Sequence, residues 1–204
     1  MYFIWISFRN KQVSAQAEQR VIHTYQIINN TEKISHISLD MQSAARDYII
    51  SGNPLLAKNS GEAAREIAQP LSTLRRLLTG NVVQQKNFDS LSQYINQLTA
   101  LNLFVVNTPS LSQEDKISSS KKEILLVNHI RQQADKMLAE ENRLITGRIG
   151  SYNKAQLNAL ITSIAGGVLA IVFLTIGLMR IFSDILQRNV AEEKARQSEI
   201  KYRR

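Results

Sequence analysis

The 204-residue chain contains no cysteine, three prolines, eight glycines and one tryptophan. Without cysteine there is no disulfide framework and no thiolate metal site. Scarce glycine and proline argue against a sandwich or barrel, which needs turn signals every 8–12 residues or so. Histidine is also sparse. His23, His36 and His129 have no second histidine four residues on, and no H-E-x-x-H is present. G-x-S-x-G, G-x-x-x-x-G-K-[ST] and G-x-G-x-x-G are likewise missing. The acidic doublets Glu140-Glu141 and Glu192-Glu193 are adjacent in sequence, so on a helix they do not share a face and form no catalytic carboxylate pair. These 204 residues are therefore expected to hold no catalytic site, no metal site and no cofactor.

The formal charge is +8, from 25 basic and 17 acidic residues. Basic side chains alternate with acidic and amide ones rather than forming a stripe with stacking aromatics, which speaks against nucleic acid as a partner. Gln, Ser, Asn, Leu, Ile and Ala dominate what remains, the composition of an all-helical protein.

One stretch is uncharged for its whole length. "AQLNALITSIAGGVLAIVFLTIGLM", Ala155 to Met179, is bracketed by Lys154 and Arg180. It exceeds the roughly 20 residues a helix needs to cross a bilayer, so a transmembrane helix is expected over 157–179. Ala159, Ser163 and Gly167, and again Gly166 and Ala170, recur four apart, a spacing that permits close helix approach in lipid. At the other end, "MYFIWISF" is strongly apolar but too short to span. Residues 1–9 are read as the end of a first membrane helix whose beginning is missing, with Tyr2, Trp5 and Phe8 suited to the membrane–water interface. Residues 10–156 form an extracytoplasmic domain on this reading, and residues 180–204 a charged cytoplasmic linker. Four Lys or Arg follow the second span and three precede it, a small bias toward a cytoplasmic C-terminus.

The middle segment reads as an antiparallel four-helix bundle of two long and two shorter helices. Val21, Thr24, Ile28, Thr31, Ser35, Ser38, Met41, Ala45 and Tyr48 alternate at three and four, with a second stripe at Ile27, Ile34, Ile37 and Ala44. One stripe would pack within a subunit, the other against the second copy in a homodimer. The second helix carries Ile67, Leu71, Leu74 and Leu78 and ends at Gly80-Asn81. Pro70 lies inside it and predicts a kink or break near Ile67–Pro70, because its ring removes a backbone donor and crowds the preceding turn. The third helix shows Phe88, Leu91, Ile95, Leu98 and Val105. Either Asn102 or Leu101 completes that seam. After the loop "NTPSLSQED", helix resumes near Lys116 with an apolar face at Ile124, Val127, Ala134, Leu138 and Ile145, and no stop before the membrane segment. Gly147 and Gly150 weaken that helix by about 1 kcal/mol each without ending it.

The first helix closes with "DMQSAARDYIISGNP", Asp40 to Pro54. Gly52 is expected to supply the left-handed residue at the stop, and Pro54 to open the next helix. This stretch resembles the signature of the type-three CHASE domain, an extracellular sensory module of bacterial signalling proteins. Such domains place an Asp before an R-G-Y-hydrophobic-hydrophobic-[TS]-G run. Asp40, Arg46, Tyr48, Ile49, Ile50, Ser51 and Gly52 match, and Asp47 stands where glycine is usual. "TLRRLLTGNVVQQKNFDSL" also looks like the family's second turn and third helix. The similarity spans about residues 20–154. At the C-terminus, "EEKARQSEIKYRR" resembles the start of a PAS domain, with Ser198, Glu199, Tyr202 and Arg203 matching.

The resemblances imply a membrane-anchored, homodimeric sensor of a bacterial signal-transduction receptor with a histidine kinase downstream, seated in the inner membrane. Its signal is left open. A methyl-accepting chemoreceptor or a purely structural membrane-anchored helical protein are the alternative readings. Asp40, Arg46, Asp47, Tyr48, Gly52, Pro54 and Pro70 are structural or signalling candidates. Arg46 is expected to form a charge-assisted hydrogen bond to Asp40, to Asp47 or to a carboxylate on a facing helix.

Overall fold

The computed structural model describes residues 2–108 and 110–202, and side chains from Trp5 to Lys194. Among these, five helices follow one another: α1 (Tyr2–Ser51), α2 (Pro54–Glu66), α3 (Ala68–Leu77), α4 (Val82–Asn107) and α5 (Gln113–Tyr202). With α2 and α3 forming one broken rod, the fold is the expected all-α four-helix bundle, with no strand among the described residues.

Each break has a local cause. At the end of α1, Gly52 takes φ +67°, a conformation that costs other residues about 1–2 kcal/mol. Its N–H closes the last turn on the Tyr48 carbonyl at 2.8 Å. Asn53 then caps α2 by accepting from the Leu55 N–H at 3.0 Å, and Pro54 occupies the first turn, where its missing donor is not needed. Between α2 and α3 the cause is Pro70. It has no N–H for the Glu66 carbonyl, and its ring crowds that same group. Helix α2 ends at Glu66, while Ile67 keeps helical angles (φ −65°, ψ −22°), so the rod is interrupted without reversing. Gly80 (φ +90°) ends the next segment, and the Asn81 side chain accepts from the Gln84 N–H at 3.2 Å to start α4. Ser112 starts α5 by accepting from the Asp115 N–H at 3.1 Å and donating to its carboxylate at 2.6 Å. The acidic residues Glu114 and Asp115 suit the positive end of the helix dipole there.

The chain divides into two compact units. In Gln16–Tyr152, the buried seam of α1 is Thr24, Ile27, Thr31, Ile34, Ile37, Ser38, Met41 and Ala45. The two sequence stripes therefore merge into one, and Ile28 and Ser35 are half-buried on its flank. The three hydroxyls bond to carbonyls one turn back (Thr24 to Arg20, Thr31 to Ile27, Ser38 to Ile34), so they enter the core already satisfied. From the other helices come Ile67, Leu74, Leu78, Phe88, Leu91, Ile95, Leu98, Val127, Ile130 and Met137. Asn102, not Leu101, completes the α4 seam: Asn102 is 3% exposed and Leu101 half-buried.

The α5 seam differs from its sequence reading. Ile124 is 46% exposed, and Leu138 and Ile145 are half-buried. The inward positions are Ser119, Glu123, Leu126, Val127, Ile130, Ala134, Met137 and Glu141. Val127 and Ala134 lie on the seam as read, while the glutamates at two of its other positions interrupt the apolar stripe.

The second unit contains the residues up to Ala15 and those from Asn153 on. Within it, Asn10 donates to Thr162 Oγ1 at 2.8 Å, and the Arg9 guanidinium lies 5.4 Å from the Trp5 ring centre. The uncharged run presents Leu160, Ile164, Val168, Phe173, Leu174 and Met179 outward. Of the described helices, α5 is the one long and apolar enough to cross a membrane, and its most apolar window is unburied.

Candidate functional site

A buried carboxylate is costly unless hydrogen-bonded and paired, because burial removes the water that stabilises its charge. Glu123 and Glu141 both lie on the inner face of α5 at 2% and 1% exposure, and they are treated differently.

Glu141 is held. Gln84 on α4, itself fully buried, donates its side-chain N–H to Glu141 Oε1 and to the Met137 carbonyl, both at 3.1 Å. Arg148, two turns further along α5, brings its guanidinium within 3.7 Å of Glu141 Oε2. The same guanidinium donates to Thr24 Oγ1 and to the Arg20 carbonyl of α1. His23 on α1 bonds the Leu77 carbonyl at 2.9 Å. All four rods are thus cross-linked by polar groups at this end of the bundle.

Eighteen residues separate Gln84 from Asn102 on α4, and eighteen separate Glu123 from Glu141 on α5. That is about five turns at 3.6 residues per turn. In antiparallel helices, Asn102 and Glu123 therefore form a second amide–carboxyl layer, in register with the first. Here the amide is committed elsewhere. Asn102 donates to the Met41 carbonyl at 3.3 Å and sits 3.5 Å from Ser60 Oγ on α2. Among the described residues neither Glu123 Oε1 nor Glu141 Oε2 has a hydrogen-bond partner, but Glu141 Oε2 has the Arg148 charge at 3.7 Å and Glu123 has no ion pair. Burial pushes its carboxyl up to about 7, with the Arg46 charge on α1 opposing that rise.

The candidate residues from the sequence fall into three groups. Gly52, Pro54 and Pro70 set the helix boundaries described above. Arg46 is exposed and, among the described residues, makes no hydrogen bond to Asp40 or Asp47; its charge acts instead on Glu123 of the facing helix. Asp40 is exposed, Asp47 half-buried. Tyr48 and Gly52 line a cavity of about 280 Å³ at the α1–α2 turn, together with Val105, Leu111 and Lys116. Nothing in the sequence pattern marks Gln84, Glu123 or Arg148 as core residues, and Glu141 stands out only as half of an acidic doublet.

Two grooves flank the core. One, of about 660 Å³, lies between α4 and α5 and is lined by Leu101, Phe104, Ser119, Lys122 and Leu126. The other, of about 220 Å³, lies between α1 and α5 and gathers Glu32, His36, Arg131 and Asp135 over Val127 and Ile130. Among the described residues no three metal-ligating side chains come together.

The motif at the end of α1, the paired turns and the bundle agree with what a family model finds: the CHASE3 domain matches residues 17–150. The chain belongs to the CHASE3 family. CHASE3 is an extracellular sensor domain of signalling receptors, and the matched residues coincide with the compact unit Gln16–Tyr152 that contains both polar layers. No curated protein and no solved structure matches the chain. Of the PAS-like residues, Arg203 lies outside the described residues, as do the side chains of Ser198, Glu199 and Tyr202.

Proposed function

We propose that this chain is the sensor and membrane-spanning part of a homodimeric receptor whose output is a histidine kinase. Residues 10–156 face the outside of the inner membrane, residues 157–179 cross it, and residues 180–204 lead through a cytoplasmic linker toward a PAS domain. The carrying observation is that α5 is a single helix from Gln113 to Tyr202, bearing both the buried seam of the CHASE3 bundle and the uncharged run Ala155–Met179. A signal that favours one bundle arrangement shifts the population of that arrangement, and α5 passes the change inward. The exposed residues Ile22, Tyr25, His36 and Leu39 on α1 form two three-residue steps set eleven residues, about three turns, apart, so they share one face and support pairing with a second copy. The kinase output is drawn from the family resemblance, and the PAS-like C-terminal residues speak against a chemoreceptor output.

The cysteine-free chain makes a direct test simple. Single cysteines at Ser118 and Gln187, both exposed, are labelled in intact cells with a membrane-impermeant maleimide. Ser118→Cys reacts from outside, and Gln187→Cys reacts only after permeabilisation. Reaction of both from the same side overturns the reading.

A further inference from the structure

Glu123 is a buried acid with an oxygen that, among the described residues, has neither hydrogen bond nor ion pair. Of the charged groups on the helices around it, Arg46 is the one whose charge acts on the carboxyl. On α4, no side chain from Ile95 to Asn107 titrates, and Asn102 already bonds to Met41 and Ser60. On α2, Lys58 and Glu62 are exposed and pair with each other at 3.5 Å, while Arg65 points to solvent and Glu66 pairs with Lys33 of α1. On α5 itself, Lys121 and Lys122 are exposed and Lys116 is half-buried. On α1, Asp40 is exposed, and Asp47 and Tyr48 are half-buried. Arg46, also on α1, is the cation whose field reaches the Glu123 carboxyl, and among the described residues its exposed side chain makes no competing hydrogen bond.

We propose that Arg46 and Glu123 form a proton-controlled clasp between α1 and α5. With Glu123 neutral, the carboxyl stays in the core and Arg46 remains in solvent. When Glu123 releases its proton to water, the carboxylate must be paired, and Arg46 folds inward to donate to the open oxygen, drawing α1 and α5 together. The ligand of this site is the proton. The transition falls near neutral pH, because burial raises the acid to about 7. A receptor built on this bundle thereby responds to external acidity.

The meaning of the clasp as a signal rests on the sensor reading above, but its existence can be tested separately. The full chain in lipid nanodiscs, with spin labels on Ser43→Cys and Ser118→Cys, reports the α1–α5 distance from pH 5 to 9. Infrared difference spectra report carboxyl ionisation in the same samples. The expected distance transition has a midpoint near pH 7. Glu123→Gln, which fixes the neutral shape, abolishes both signals. Arg46→Met keeps the carboxyl titration, shifts its midpoint upward and abolishes the distance change. A pH-independent distance in the parent chain, a titration that survives Glu123→Gln, or an unmoved midpoint in Arg46→Met each overturns the clasp. Since the maleimide experiment reads sidedness alone, it can fail while the clasp stands.

Discussion

Gln84 of α4 and Glu141 of α5 meet at 3.1 Å in the core, and Arg148 stands 3.7 Å from the second carboxylate oxygen. This triad anchors the register of two antiparallel helices, because a slip of either by one residue would leave a buried charge and a buried amide without partners. Gln84→Leu is expected to destabilise the bundle by about 1–3 kcal/mol, the range for a buried polar group that loses its hydrogen-bond partner, with Arg148 still beside the carboxyl. Thermal unfolding of the full chain in detergent provides the check, with Gln84→Glu at least as damaging because two acids would then face each other.

The Asn102 layer is expected to behave differently. Its amide donates to the Met41 carbonyl from a fully helical context. Asn102→Asp replaces a donor with a buried acceptor facing a carbonyl, and should cost about 2 kcal/mol or more near neutral pH. Asn102→Leu removes the polar group entirely and should cost less than Asn102→Asp. A melting series of both variants separates lost bonding from lost volume.

Gly52 tests the turn chemistry. An added Cβ meets no neighbour within 4 Å, so the penalty comes from φ +67° alone. Gly52→Val is expected to cost about 1–2 kcal/mol, and Gly52→Asn much less, since asparagine tolerates the left-handed region. Equal melting temperatures for the two variants would contradict this account.

Stability should depend on pH through Glu123 with a definite sign. Its folded carboxyl titrates near 7, raised from an ordinary value of 4.5. Below about pH 4.5 both states are protonated and the group is neutral to stability. As pH rises from there to 7, the unfolded chain gives up its proton while the folded chain keeps it, so stability falls. Above 7 the loss is complete and constant. Glu123→Gln should therefore gain stability relative to the parent between pH 5 and 7 and show a flat difference beyond. Denaturant titrations across that range, comparing the two proteins, measure it.

What could be read in the sequence follows from locality. Gly52, Pro54, Pro70 and Gly80-Asn81 act through their own backbone, so the helix boundaries were visible in the residue types. The hydroxyls Thr24, Thr31 and Ser38 could be placed on the α1 seam by spacing alone. The α5 seam could be placed only at Val127 and Ala134, because Glu123 and Glu141 look like surface residues until a second helix supplies Gln84 and places the same face of α4 opposite them. A periodic search weighted by hydrophobicity slid to Ile124 and Leu138, each one residue from the true inward position. Arg46 stood out through its motif, but its counterpart lies 77 positions away on α5.

The interruption at Pro70 has a further consequence. Helix α2 buries a single residue, Ser60, whereas α3 buries Pro70 and Leu74. Because Pro70 offers no N–H to the Glu66 carbonyl, one rung of the ladder between α2 and α3 is missing while Ile67 and Leu71 keep theirs, and α2 can open locally while α3 keeps its protection. Amide exchange should accordingly be fastest along 55–66 and slow again from 71 onward, leaving a hinged flap over Asn102 that unfastens without disturbing the remainder of the bundle.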